Sequence, residues 1–155
     1  MYRDVLRGML AGLVATAVLS VLVAIGRWIP RLDSVTALDG LAHSMNVALN
    51  LPSPITGWVL YVGIGVIWWG WVFAVMAPIL PGRWFWQKGL AFGAMAALLV
   101  WLTVMPLAGA GYFGLDLSPV QPLVTLGEHL VYGVVLGAVY GRLASGGGGT
   151  GTPFR

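Results

Sequence analysis

Phe85 to Met105 reads FWQKGLAFGAMAALLVWLTVM, and after Lys88 no charge appears until Asp116. A hydrocarbon core of about 30 Å needs about 20 predominantly apolar residues in a helix, because in lipid the backbone must satisfy its own hydrogen bonds. This stretch meets that requirement, so it predicts a transmembrane helix. Three more runs have the same character: Gly8 to Gly26, Thr56 to Ala77 and about Pro122 to Leu143. Pro78 and Pro81 follow the second run, Pro106 follows the third and Pro122 opens the fourth, placing helix punctuation at the boundaries. The expected fold is an all-α membrane protein, a four-transmembrane-helix bundle in one membrane domain over residues 1–144, followed by a flexible glycine-rich tail, 145–155.

Composition supports the same reading. Hydrophobic residues make up 59 % of 155 positions, charged residues only 8 %, and mean hydropathy is +0.89. A soluble domain has about 45 to 50 % apolar residues even when glycine is counted. The first run is longer than the apolar core of a secretory signal and leads into Arg27, Trp28 and Arg31, so it reads as an anchor. With no cysteine, disulfides, thiolate catalysis and cysteine-ligated metals are excluded. The net charge of +3 comes from basic residues scattered in ones and twos beside apolar runs, which suits lipid rather than nucleic acid as partner.

Between the first two runs, Leu38, Leu41, Ala42, Met45 and Leu49 recur at helical spacing, with Asp39, His43, Asn46 and Asn50 on another side. This predicts an amphipathic outer helix at about 34–50, lying at the interface or across the mouth of the bundle. Lys and Arg counts then orient the chain, since basic residues near the membrane favour the cytoplasmic side. Arg3, Arg7, Arg83, Lys88, Arg142 and Arg155 share one side of a four-span topology and only Arg27 and Arg31 the other. Both termini are expected in the cytoplasm of a prokaryotic cell, with Asp33, Asp39, Asp116, Glu128, His43 and His129 outside.

Arg7-Gly8 with Gly12 and Ala15 recurs as Lys88-Gly89 with Gly93 and Ala96, and Tyr61-x-x-Ile64-Gly65 answers His129-x-x-Tyr132-Gly133. These echoes suggest two tandem helical hairpins related by an axis along the membrane normal. Gly8, Gly12, Thr16 and Ser20 form a small-residue ladder at four-residue spacing; Gly133, Gly137, Gly141 and Ser145 form another. Such ladders let backbones approach closely, either within one bundle or between chains in a homo-oligomer or larger membrane complex.

Arg7-Gly8 with Gly12, Leu32-Asp33, Gly57-Trp58, Lys88-Gly89 with Gly93, Met105-Pro106, Gly109-Ala110-Gly111 with Phe113-Gly114, and Thr125-Leu126 with His129, Tyr132-Gly133 and Gly137 together resemble a prokaryotic family. It is a family of small four-span membrane proteins of unknown function. The resemblance covers nearly the whole chain and implies fold and location, with no activity attached. Relatives often carry histidine where this chain has Tyr61, which argues against a paired-histidine site common to all of them.

The remaining chemistry is sparse. Glu128 and His129 lie inside the fourth run near its outer end, and ionisable residues within a span are functional candidates by default. Asp39 and His43, four apart, share a helical face, and with Asp116, Glu128 and His129 they are the candidate ligands for an external metal site. Haem held by His43 and His129 needs two facing helices, and one histidine lies outside the spans. Trp68, Trp69 and Trp71 near the middle of the second run either fill space opposite glycines or contact a flat ligand such as a quinone or pigment. No cofactor is expected. The leading expectation is a non-enzymatic structural or accessory membrane component acting through helix contacts; the alternative is a small ligand-, metal- or ion-handling protein using the external His and carboxylate groups.

Overall fold

The computed structural model describes residues 2–26, 59–60, 62–107 and 109–145, and every regular element among them is helical. Helix α1 is Tyr2–Gly26, α2 is Ile64–Met76, α3 is Phe85–Leu107 and α4 is Gln121–Ser145, with a single 3-10 turn, Tyr112–Gly114, before α4. The chain is therefore all-α, and α1, α3 and α4 are each long and apolar enough to cross a membrane, while α2 is a shorter apolar helix. The expected amphipathic helix at 34–50, with Asp39 and His43, lies outside the described residues, as does the tail beyond Ser145.

Helices α1, α3 and α4 extend past the bounds expected from sequence, each for a local reason. Helix α1 begins at Tyr2 rather than at Gly8, because Asp4 in its first turn suits the positive end of the helix dipole and pairs with Arg7 one turn on at 3.0 Å. Helix α3 does not stop at Met105 but passes through Pro106 to Leu107. A wide turn at Val100–Val104, where the Met105 N–H reaches back five residues to the Val100 carbonyl, alters the hydrogen-bond register just where a proline would otherwise clash. Helix α4 includes Ser145, whose hydroxyl donates to the Gly141 carbonyl at 2.9 Å.

Helix α2 carries a second wide turn, Ile64–Trp68, closed by the Trp69 N–H on the Ile64 carbonyl. It ends as Pro78 follows Ala77, and Lys88 reaches from α3 to donate to the Ala77 carbonyl at 2.5 Å, a cation at a helix C-terminus. The Gln87 side-chain oxygen accepts from the Arg83 and Trp84 N–H groups at 2.8 and 3.1 Å, which fixes where α3 starts.

Packing centres on backbone contact at glycine. A Cβ built on Gly89 would run into the Gly133 carbonyl, one on Gly133 into the Gly89 carbonyl, and one on Gly93 into the His129 carbonyl. In the other pair, Gly8 faces Gly70, Gly12 faces the Gly65 and Val66 carbonyls, and Gly65 is covered by Thr16. Gly137 lies against the Phe85 backbone and Gly141 against the Phe85 ring, so both small-residue ladders face neighbouring helices of the same chain. The odd-helix motifs thus occupy equivalent contact positions, whereas Gly133 corresponds by contact to Gly70 rather than to Gly65, about one turn away from the match the sequence suggested.

Alongside these crossings lies an aromatic core. Phe73 of α2 meets Phe92 of α3 edge-on at 5.3 Å and Tyr140 of α4 at 5.4 Å, and Trp69 meets Phe92 at 5.5 Å. Each such pair adds about 0.5 to 1.5 kcal/mol beyond burial. Trp69 therefore fills space, while Trp68 and Trp71, 55 % and 42 % exposed with rings 5.7 Å apart, face outward.

Gly133→Leu is expected to destabilise the bundle by about 1 to 3 kcal/mol through overpacking, read as a lower melting temperature in detergent. Gly127→Leu, where nothing lies within 4 Å of the new carbon, should leave it unchanged or slightly raised.

Candidate functional site

Helix α4 carries polar residues at four-residue spacing on the side it turns to the bundle: Gln121, Thr125, then Glu128 and His129, then Tyr132. Gln121 and Thr125 are 1 % and 2 % exposed, so their polar atoms have to be satisfied inside the protein. Gln121 Nε2 donates to Thr125 Oγ1 at 3.2 Å. Gly114, with φ +75°, lies over the Gln121 side chain, where any Cβ would collide with it. Loop geometry thus shapes the top of the track.

His129 continues it. Its Nδ1 is 2.8 Å from the Thr125 carbonyl, and because a carbonyl oxygen only accepts, Nδ1 carries the proton. In the neutral ring that leaves Nε2 as the acceptor nitrogen. Tyr132, one turn further, donates its hydroxyl to the Gly65 carbonyl in the wide turn of α2, joining the two helix pairs. Beside that contact lies Thr16, 4 % exposed, with its hydroxyl in a tight approach to Gly65 and no hydrogen-bond partner among the described residues.

The expected external site is only partly placed. Glu128 and His129 are half-buried on α4, about 100° apart around the helix as neighbours must be. Asp116 is exposed and its carboxylate lies next to Gly111. Among the described residues no three His, Cys, Asp or Glu side chains gather closely enough to hold a metal, so Asp116, Glu128 and His129 do not form such a group. Asp39 and His43 fall outside the described residues.

Sequence reasoning passed over Gln121 and Trp101. Gln121 was legible in principle as the first member of the series Gln121, Thr125, His129. Trp101 was not, because its role depends on a loop. Its ring packs against Phe113 at 5.2 Å, Phe113 holds a left-handed φ of 61° between Gly111 and Gly114, and the buried indole Nε1 has no hydrogen-bond partner among the described residues.

Tyr132→Phe is expected to cost about 0.6 to 1.7 kcal/mol, the range of interhelical hydrogen bonds in lipid, in an unfolding titration in mixed micelles. Tyr112→Phe, at an exposed position, should cost nothing measurable.

Neither a curated protein nor a solved structure matches this chain. The family of unknown function designated DUF6789 matches it over residues 2–147, which includes all four helices and every residue of the polar track. An all-α chain with membrane-length helices, matched along nearly its whole length, belongs to that family.

Proposed function

We propose that this chain is a non-enzymatic component of a prokaryotic cytoplasmic membrane, with four spans and both termini in the cytoplasm, that works as a structural or accessory subunit through its outer helix faces. The observation that carries the reading is where the polar and small residues are spent. The glycine ladders face helices of the same chain, and the Tyr132 hydroxyl ties α4 to α2. What remains outward on α1, α3 and α4 is apolar, with only 33 %, 28 % and 33 % of their most hydrophobic windows buried inside the chain. The equivalent glycine contacts of α1 with α2 and of α3 with α4 support an origin in two duplicated hairpins.

A second reading is favoured by one specific observation. His129 donates from Nδ1 and keeps Nε2 for a ligand, next to the half-buried Glu128, which suits a small ligand- or ion-handling role at that end of α4. The two readings separate on the complex purified from native membranes. A co-purifying protein partner, with no stoichiometric metal and no visible chromophore, is expected; stoichiometric metal that disappears in His129→Ala would replace the first reading with the second. Orientation is checked separately, since the chain has no cysteine of its own. A cysteine at Leu117 should react with a membrane-impermeant maleimide in intact cells and one at Arg83 only after permeabilisation, and the reverse pattern would invert the topology.

A further inference from the structure

At the end of the bundle where α1 starts and α2 stops, the helices leave a cleft of about 470 Å³. That is within the range of small-ligand sites, about 300 to 1,000 Å³. All four helices build its walls, which are apolar: Val5 from α1, Ala74 and Val75 from α2, Phe85 from α3 and Ala144 from α4. The polar lining is confined to Asp4, Arg7 and Tyr140.

The surroundings give the cleft a sign and a depth. Arg3 and Arg7 in the first turns of α1, Arg83 and Lys88 around the start of α3, and Arg142 in the last turn of α4 all belong to this end, against Asp4 as the one acid among the described residues there. Asp4 takes one nitrogen of Arg7 at 3.0 Å, and the planar guanidinium has further N–H donors. Lys88 is occupied by the Ala77 carbonyl and the Phe85 ring. Trp84 and Trp86, both exposed, stand where aromatic residues mark the headgroup level.

We propose that this cleft is a binding site for an anionic phospholipid, with an acyl chain between Val5, Val75, Phe85 and Ala144 and the headgroup phosphate on Arg7. An apolar wedge with Arg7 in its lining, at the basic end of the bundle, matches a molecule that is apolar at one end and anionic at the other, and basic pockets between transmembrane helices recognise lipids in this way. Guanidinium groups favour phosphate through paired N–H donors, so Arg7 selects the headgroup while the wedge selects a tail. The site does not depend on which side of the membrane this end occupies.

The test is native mass spectrometry of the full chain released from micelles, titrated with phosphatidylglycerol and with phosphatidylcholine of the same acyl chains. Phosphatidylglycerol should bind about tenfold more tightly; equal binding of the two lipids overturns the proposal without any variant being needed. Ala144→Phe, which fills the wedge and leaves every arginine in place, should weaken phosphatidylglycerol at least fivefold. The double variant Asp4→Asn with Arg7→Gln should bring the preference for the anionic lipid close to one. Undiminished phosphatidylglycerol binding by a folded Ala144→Phe chain, or displacement of the lipid by inorganic phosphate alone, refutes a site that holds a lipid tail.

Discussion

Backbone-to-backbone contact at glycine is the constraint on which this bundle depends. In water, apolar helices are driven together by the cost of exposing them, but in lipid an acyl chain covers a leucine as well as another helix does. What distinguishes protein neighbours is how closely they approach. Gly89, Gly93, Gly133 and Gly137 remove the side chains between α3 and α4, so carbonyl oxygens of one helix rest on Cα atoms of the other. Each Cα–H to carbonyl contact is worth about 0.5 to 1 kcal/mol, and close approach adds dispersion along the seam. Gly8, Gly12, Gly65 and Gly70 do the same for α1 and α2.

Once the seams are fixed, the other features follow as local consequences. Helices held this tightly at glycine bring the ring of Phe73 edge-on to Phe92 and Tyr140, forming an aromatic core that links three helices. The wide turn in α2 disturbs its hydrogen-bond register at Gly65, and the Tyr132 hydroxyl supplies a donor to that carbonyl. In a bilayer, a backbone group that leaves the regular ladder has to find a partner from a neighbouring helix, which is why the irregular turn and the tyrosine occur together. The second wide turn, Val100–Val104, lets α3 carry Pro106 within its last turn.

The polar track on α4 shows how a span accommodates hydrogen-bonding side chains. Gln121 bonds to Thr125, His129 to the Thr125 carbonyl and Tyr132 to α2, so most of the polar atoms are used in holding the structure. The end with the Tyr112–Gly114 turn, where strained Phe113 packs against Trp101, and the basic end, with its apolar cleft, are where the bundle departs from close helix packing. Backbone strain and open volume are both more expected at working regions than along a packed seam.

Residue type and period alone determined the helical class, three of the four expected membrane-length runs, the asymmetry of basic residues and which glycines lie on a common face, because these are properties of single segments. Even the polar spacing from Gln121 to His129 could be read that way. Partners could not. That Gly8 meets Gly70 rather than Gly65, that Trp69 points inward while Trp68 and Trp71 point out, and that Tyr132 reaches Gly65 are decided by the relative register of helices far apart in the chain. The passage of α3 through Pro106 and the cleft among Val5, Val75, Phe85 and Ala144 are likewise products of how helices bend and diverge after they cross. Periodicity fixes a face, but only tertiary packing fixes what that face touches, since in lipid the choice among apolar neighbours rests on shape.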